Sequence, residues 1–399
     1  KRNWYREVEK WLPNSQIQIL DSSKDKLDPD ADVVIINYDL IWREKIEKQL
    51  LARIFQIVIF DEVTYLKEKS TKRTKSAKKI SRKSKFNVGL SGTPILNRPI
   101  EFFTFLNIIS PKQFPSQFKF GMRYCNGYHN GFGYVFKGSS RIDELRGLLQ
   151  PLMIRRRKDE VLTELPEKVQ RNIFVDMPGS YYQDYMAAEN DLVNTLQSLN
   201  ADGPVSQEYN DNHMWLLSKL NYLRHLVGLA KAEAAEEIIQ SFVEAEEKLV
   251  VFGHHHDVMD KMDEYLTKKG IIHVKVDGRT PNKERQGKVD EFQDNEDCMV
   301  FLASTAMGMG VTLTAASNAL FVERQWTPGI EEQMEDRLHR IGQNRGVVAH
   351  YMQVENSIDS KMAKLVEEKR SVLLEILDGQ KQRDRGESIM NELLSELGK

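Results

Sequence analysis

Residues 57–62 read IVIFDE. The apolar run is unbroken, rich in β-branched side chains, and ends on two carboxylates. A short continuous run of this kind fits a strand buried on both faces of a parallel sheet, where the alternation of a half-exposed strand is lost. Open α/β sheets meet their ligands at the carboxyl ends of the strands, and that is where Asp61 and Glu62 fall. Working outward, VVIIN (33–37) has the same character upstream and NVGLS (87–91) downstream. A lysine-rich stretch of helical pattern separates IVIFDE from NVGLS. Strand, helix, strand in this succession is the βαβ rhythm of a parallel sheet.

The rhythm breaks after Pro99 and returns near Lys248. Residues 101–150 are aromatic and glycine-rich, centred on GMRYCNGYHNGFGYVF, and read as an insertion of short helices and loops. PLMIRRRKDEVLTELPEK (151–168) reads as a connector, and residues 180–245 are helical by pattern, interrupted near Gly203–Pro204. Then KLVVFG (248–253), HVKVDG (273–278), CMVFLAS (298–304) and NALFVE (318–323) are strand candidates with helical pattern between them. The pattern predicts an α/β chain of two lobes with parallel sheets and a helical middle. Its parts are a partial first lobe over 1–160, a connector and helical protrusion over 161–240, a second lobe over 241–378, and a charged tail over 379–399 that reads as a surface helix.

At 399 residues, with 40% hydrophobic and 29% charged, the chain suits two globular domains. No apolar run approaches the ~20 residues that span a bilayer, and no secretory signal opens the chain, so an intracellular place is expected: the nucleus in a eukaryote, the cytoplasm in a bacterium or phage. Two cysteines exclude a disulfide framework and an all-cysteine zinc site. The net charge of −2 gives no overall pull toward nucleic acid, so a binding surface for it requires local segregation of charge. The chain opens on Lys1 in an amphipathic stretch without a methionine, and reads as part of a longer protein.

Four segments carry chemistry. In nucleotide hydrolases an Asp at a strand end holds Mg²⁺ and a neighbouring carboxylate can orient the attacking water; standing alone, Asp61-Glu62 is as well explained as a solvated loop pair. LSGTP (90–94) follows the next strand, and its Ser91 and Thr93 can hydrogen-bond both to the acidic loop and to the chain beyond. STAMGMGVTLTAA (304–316) follows another strand; its small residues let backbone amides approach a phosphate, or simply make a tight turn. In QMEDRLHRIGQ (333–343), Arg337 and Arg340 are three apart on a helical pattern, which predicts both on one face. Two converging guanidiniums suit a triphosphate. The plain alternative is a surface pairing with Glu331, Glu335 or Asp336.

Taken in order, these segments resemble the Swi/Snf-type group of superfamily-two helicase-like ATPases over about residues 1–375. NWYREVEKW (3–11), INYDL (36–40), IFDE, LSGTP, MIRRRKDEV (153–161) and LP-K (165–168) are similar to its first-lobe and connector motifs. VVFGHH (250–255), VDGRT (276–280), STAMGMG (304–310), QWTPG (325–329) and EDRLHRIGQ (335–343) are similar to those of its second lobe. RYCNGY (123–128) and TAMGMGVTLTAA (305–316) look most like the HepA-related annealing-helicase branch. The resemblance implies two RecA-like lobes that hydrolyse ATP between them with Mg²⁺ and move on duplex or forked DNA held by its backbone. It implies that Asp61 coordinates Mg²⁺, Glu62 activates water, Arg337 and Arg340 act as arginine fingers, and Gly310 and Gln333 lie beside the nucleotide. Tyr38, Ser91, Thr93, Arg279, Thr305 and Trp326 occupy motifs that face DNA or couple it to ATP.

Two departures stand out. No G-x-x-x-x-G-K-[ST] occurs, so the loop that grips the β- and γ-phosphates is missing from this stretch, and the chain alone is expected not to turn over ATP. Thr64 stands where the family usually has His, which leaves a hydroxyl but no titratable group for coupling. Elsewhere, KEKSTKRTKSAKKISRKSK (67–85) predicts a helix basic nearly all round, suited to phosphates or to a solvated exterior. His254-His255-His256 are consecutive, a poor spacing for one metal ion. Trp4, Trp11 and Trp215 read as packing anchors. Two other classes compete with the motor: a non-catalytic DNA-binding scaffold that keeps its fold, and an RNA helicase of the same superfamily.

Overall fold

The computed structural model describes residues 1–92, 99–131, 133–136, 138–156, 158–201, 207–305 and 311–367. Thr93, Gly310 and the charged tail lie outside them. The chain falls into two compact units, residues 1–146 and 147–399.

The first unit runs α1 (Arg2–Trp11), β1 (Ile17–Leu20), β2 (Val33–Ile36), α2 (Glu44–Ala52), β3 (Ile57–Phe60), α3 (Lys72–Ser81), β4 (Phe86–Gly89), α4 (Ile100–Ile109), α5 (Gln117–Tyr124), β5 (Tyr128–His129) and β6 (Tyr134–Val135), and ends within α6 (Ile142–Leu149). β1 pairs with β2 and β3 with β4, both parallel; β5 and β6 form a short antiparallel hairpin. The expected strands are present, but β3 and β4 are not buried on both faces. Phe60 turns inward to α4, whereas Ile57, Ile59, Phe86 and Val88 are exposed on the other face, which no described element covers. α4 is apolar nearly all round and is buried accordingly. It comes so close to β4 that a Cβ on Gly89 would lie 1.9 Å from the Phe105 ring, so only glycine fits where the chain turns toward Ser91.

The helix expected to be basic all round is amphipathic instead. Thr74, Ala77 and Ile80 of α3 are buried, Lys79 pairs with Glu47, and Lys78 reaches Asn107. Burial of small and hydroxylated residues between the lysines, invisible to a charge count, supplies the inner face.

The second unit continues with α7 (Lys158–Val161), β7 (Lys168–Val175), α8 (Gly179–Ala201), α9 (Gln207–Glu244), β8 (Leu249–Gly253), α10 (His256–Lys269), β9 (His273–Val276), α11 (Asn282–Asp294), β10 (Val300–Ser304), β11 (Asn318–Phe321), α12 (Pro328–Glu335) and β12 (Val347–Val354). Six strands form one parallel sheet in the order β7-β12-β11-β8-β10-β9. Every residue of β8 and β10 is buried. Their side chains alternate as strand geometry requires. Leu249, Val251, Val300 and Leu302 pack under α9 and α10, while Val250, Phe252, Phe301 and Ala303 pack with Val289, Phe292 and Met334 from α11 and α12. α8 packs on α9 beside helical residues 358–367, which add Ile358, Met362 and Leu365 to a separate apolar cluster. Lys231 of α9 is fully buried there. Its ammonium donates to both Asp359 oxygens at 2.9 Å and to the Met352 carbonyl at 3.2 Å. Among the described residues, no helix is long and apolar enough to cross a membrane.

Candidate functional site

In the first unit the chemistry gathers where β3 ends. Leu90 N–H donates to the Phe60 carbonyl (2.8 Å) and Val63 N–H to the Leu90 carbonyl (3.1 Å), so the acidic loop is stitched by main chain to the segment that opens with Ser91. Glu62 sits at φ +48°, left-handed for a residue with a Cβ, in the turn that ends the strand. The Tyr38 hydroxyl donates to the Asp61 carbonyl (2.7 Å), and its ring stacks on Tyr65 at 5.8 Å. Burial, with Asp61 and Glu62 close by, pushes the Tyr38 phenol above its ordinary range, so it stays a donor.

Asp61 itself is exposed. Its Oδ2 accepts from the Trp4 indole (2.8 Å) and its Oδ1 from Glu62 N–H (3.1 Å). Each oxygen of an ionised carboxylate has two lone pairs, so both retain acceptor capacity. No described lysine or arginine pairs with Asp61. That donor set fits Mg²⁺, which takes one or two carboxylates and keeps several waters. Trp4 thus serves the acidic loop rather than a core. Trp11, at the last turn of α1, and Trp215 are exposed instead of packed, Trp11 bonding Glu7 and Trp215 lying under the Lys219 ammonium.

In the second unit the arginine segment departs from the predicted helix. α12 stops at Glu335, and Arg337 and Arg340 lie in the turns that follow. In a continued helix the Arg337 carbonyl would accept from residue 341; here it accepts from Leu313 N–H at 2.8 Å. Leu338 is drawn into the core, the His339 imidazole reaches the Pro166 carbonyl (2.8 Å), and Gly342 adopts φ +100°. Gln343 then clamps the loop. Its buried amide donates to the carbonyls of Ala316 (2.8 Å), Thr314 (3.2 Å) and Leu338 (3.3 Å). The arginine loop is thereby stapled to the chain that follows residues 306–310. Gln333 is half-buried on α12, Arg337 half-buried and Arg340 exposed.

Each of the three carboxylates near these arginines has a cationic partner of its own. Glu331 takes a bidentate fork from Arg324 (3.0 and 2.7 Å), Glu335 bonds Tyr351 and Lys168, and Asp336 bonds Lys158 at 2.8 Å.

A third cluster joins strand ends. Glu323, buried just past β11, accepts from the amides of His254 (2.6 Å) and His255 (2.9 Å) and bonds the His255 imidazole (2.6 Å). His254 Nδ1 meets the Thr305 hydroxyl at 3.1 Å, and Arg224 of α9 lies 4.3 Å over the Trp326 ring. The three histidines therefore take three different partners, His256 facing Asp277 at 3.5 Å. Arg279 forks onto Asp260 (2.9 and 2.6 Å) and bonds Asp277 through Nε (2.8 Å), and this holds the Asp260 carboxyl well below its usual range. Sequence reading missed Glu323, Arg224 and Gln343. The strand-final glutamate of NALFVE was the available signal for the first; the other two act through contacts distant in sequence.

This cluster sets a pH dependence. Burial, with the Arg224 guanidinium beside it, pushes the His254 imidazole from 6.5 down to about 4. Burial alone would raise the Glu323 carboxyl, but the His255 imidazole and the two amides outweigh it and hold it at about 2, below its ordinary 4.5. In both cases the folded state binds fewer protons than the unfolded state in acid, so stability rises with pH. The His254 contribution is present above pH 6.5 and lost as pH falls toward 4; the Glu323 contribution is lost between 4.5 and 2. The urea midpoint of unfolding is expected to be flat above neutrality and to fall in acid, and His254→Gln to remove the upper part of that fall. A midpoint unchanged from pH 7 to 4 contradicts this assignment.

Comparison with known proteins agrees with the motif order. The SNF2-related domain model matches residues 1–226 and the helicase conserved C-terminal domain model residues 230–342. The SWI/SNF-related matrix-associated actin-dependent regulator of chromatin subfamily A-like protein 1 of Xenopus tropicalis is 33% identical over 376 residues, covering 93% of this chain and 38% of that protein. The DNA annealing helicase and endonuclease ZRANB3 of Mus musculus is 31% identical over 392 residues, covering 95% of this chain and 36% of that protein. The chain thus spans little more than a third of these relatives. The Sulfolobus solfataricus SWI2/SNF2 ATPase core in complex with dsDNA aligns with TM-score 0.47 at 23% identity, covering 100% of this chain and 83% of that one. On the two domain matches, the chain belongs to the SNF2-related family of helicase-like ATPases, and its relatives include annealing helicases.

Proposed function

We propose that this chain is the working part of an ATP-driven DNA translocase. Asp61, Glu62, Arg337 and Arg340 act on one ATP. Asp61 holds Mg²⁺, which would offset charge on the phosphate oxygens when bound. Glu62 orients the attacking water, and the two guanidiniums stabilise charge developing on the transferred phosphoryl group. Gln333 and Gly310 lie beside the nucleotide, while Tyr38, Ser91, Thr93, Arg279, Thr305 and Trp326 face DNA or relay its presence. The first RecA-like lobe corresponds to the part read as 1–160 and the second to 241–378 together with β7, which comes from the stretch read as connector and protrusion over 161–240. The observation that supports this best is the hydrogen-bond wiring of both chemical loops to neighbouring main chain. Val63 on Leu90 ties the acidic loop to the Ser91 segment, and Gln343 ties the arginine loop to the chain after Thr305. A motor needs such ties, because a change at the phosphates must move the residues on the track.

The 399 residues contain no G-x-x-x-x-G-K-[ST], and alone they are proposed not to turn over ATP. The test therefore uses the full-length protein, with hydrolysis measured in the presence of duplex DNA, forked DNA and RNA. DNA is expected to stimulate hydrolysis several-fold and RNA not to. Stimulation by RNA in preference would make it an RNA helicase. DNA binding with no hydrolysis under any condition would make it a scaffold.

A further inference from the structure

Residues 158–168 read KDEVLTELPEK and contain none of the groups assigned to ATP or DNA, yet they close over the arginine loop. The Lys158 ammonium donates to the His339 carbonyl at 2.8 Å and pairs with the Asp336 carboxylate at 2.8 Å. Asp336 and His339 are the residues that immediately precede Arg337 and Arg340. One side chain therefore holds the chain just ahead of both guanidiniums. At the other end of the stretch, the Pro166 carbonyl accepts from the His339 imidazole at 2.8 Å. Lys168 pairs there with Glu335 at 2.7 Å and reaches Asp336 at 3.4 Å.

The stretch that carries Lys158 is itself tied down. Leu162 N–H donates to the Lys158 carbonyl (2.8 Å) and Leu165 N–H to the Leu162 carbonyl (3.0 Å), so the chain is folded on itself. Lys168 opens β7, which pairs in register with β12, and Val347 N–H donates to the Glu167 carbonyl (2.9 Å). The ammonium is thus carried on a frame joined to the sheet. The Lys158 and Asp336 side chains each keep 38% of their surface open, and an ion pair so exposed adds little to stability. What it supplies is position. It also occupies the Asp336 carboxylate, which would otherwise be left to the more distant Lys168 and could draw a neighbouring guanidinium away from the nucleotide. Aim matters at this place, because a misplacement of ~1 Å in a catalytic group costs on the order of 10²-fold in rate.

We propose that Lys158 is a positioning residue for the ATP reaction, setting the loop so that Arg337 and Arg340 meet the transferred phosphoryl group. The proposal rests on the arginine-finger reading above and adds to it the side chain that aims the fingers. The experiment uses the full-length protein at saturating duplex DNA and measures kcat and KM for ATP beside a melting curve. Lys158→Met keeps the apolar stem and removes the ammonium. It is expected to lower kcat roughly 10- to 100-fold with KM and Tm unchanged, because the fingers act on the transition state rather than on bound ATP. Lys158→Arg keeps charge and donors and should recover most of the rate. In an Arg340→Ala background, Lys158→Met should cost far less, since a finger that is absent cannot be misaimed. Lys158→Gln repeats the test if the Met variant does not fold. A folded Lys158→Met or Lys158→Gln protein at wild-type kcat, or an equal loss with and without Arg340, overturns the proposal. Arg340→Ala at the wild-type rate would instead overturn the finger reading, and that result is read from the single variant alone.

Discussion

Changing Arg340 to alanine in the full-length protein lowers ATP hydrolysis by roughly 10³–10⁵-fold, the contribution of an arginine finger, and leaves the fold intact. The second half of that expectation comes from the loop. Its shape is set by Gln343 on three carbonyls, by Leu313 on the Arg337 carbonyl, by Leu338 in the core and by Gly342 at positive φ. The exposed Arg340 side chain sets none of it. Arg340→Lys should recover little, because an ammonium lacks the planar fork that grips two phosphate oxygens. The measurement is steady-state hydrolysis at saturating DNA beside a melting curve. Hydrolysis near the wild-type rate in a folded Arg340→Ala protein removes Arg340 from the reaction.

The largest effect on stability is expected at Lys231. Its ammonium joins α9 to the end of β12 and to the start of helical residues 358–367, with Asp359 also accepting from Val354 N–H at 3.2 Å. Lys231→Met keeps most of the side-chain volume but strands a buried carboxylate, which costs about 3–5 kcal/mol. The double variant Lys231→Met/Asp359→Asn removes the stranded charge and should regain much of that loss. Urea unfolding of the two variants checks both statements. A single variant as stable as the wild type would mean that Asp359 finds water when its partner goes.

The parts of the fold that could be read in sequence were those whose residues answer to their immediate neighbours. VVIIN, IVIFDE, KLVVFG and CMVFLAS are continuous apolar runs, and each became a strand within a residue or two. β7 went unread because KVQRNIFV mixes polar with apolar residues, as an edge strand paired on one side does. β12 also went unread, although its sequence VVAHYMQV is mostly apolar, interrupted by His350 and Gln353, and largely buried. The turn at Arg337 went unread because the periodicity of QMEDRLHR is helical, and what breaks it is Leu313, far away in the chain. At the candidate site, sequence order located Asp61, Glu62 and the arginine segment. It could not show the Trp4 indole on Asp61 or the Glu323 hub, since both depend on where separate segments come to rest.

The pairing of β7 with β12 has a consequence for how the chain is made. Lys168 lies opposite Val347 and Val175 opposite Val354, so the first strand of the sheet leaves the ribosome long before its neighbour exists. At ~5–20 residues per second the delay is roughly ten to forty seconds. For that interval the nascent chain carries an unpaired strand beside two long helices whose apolar sides are still uncovered. Loop closure over so many residues also slows pairing once β12 arrives. The edge of β7 therefore stays open through most of the synthesis of the second unit, and the sheet closes only once β12 has been translated.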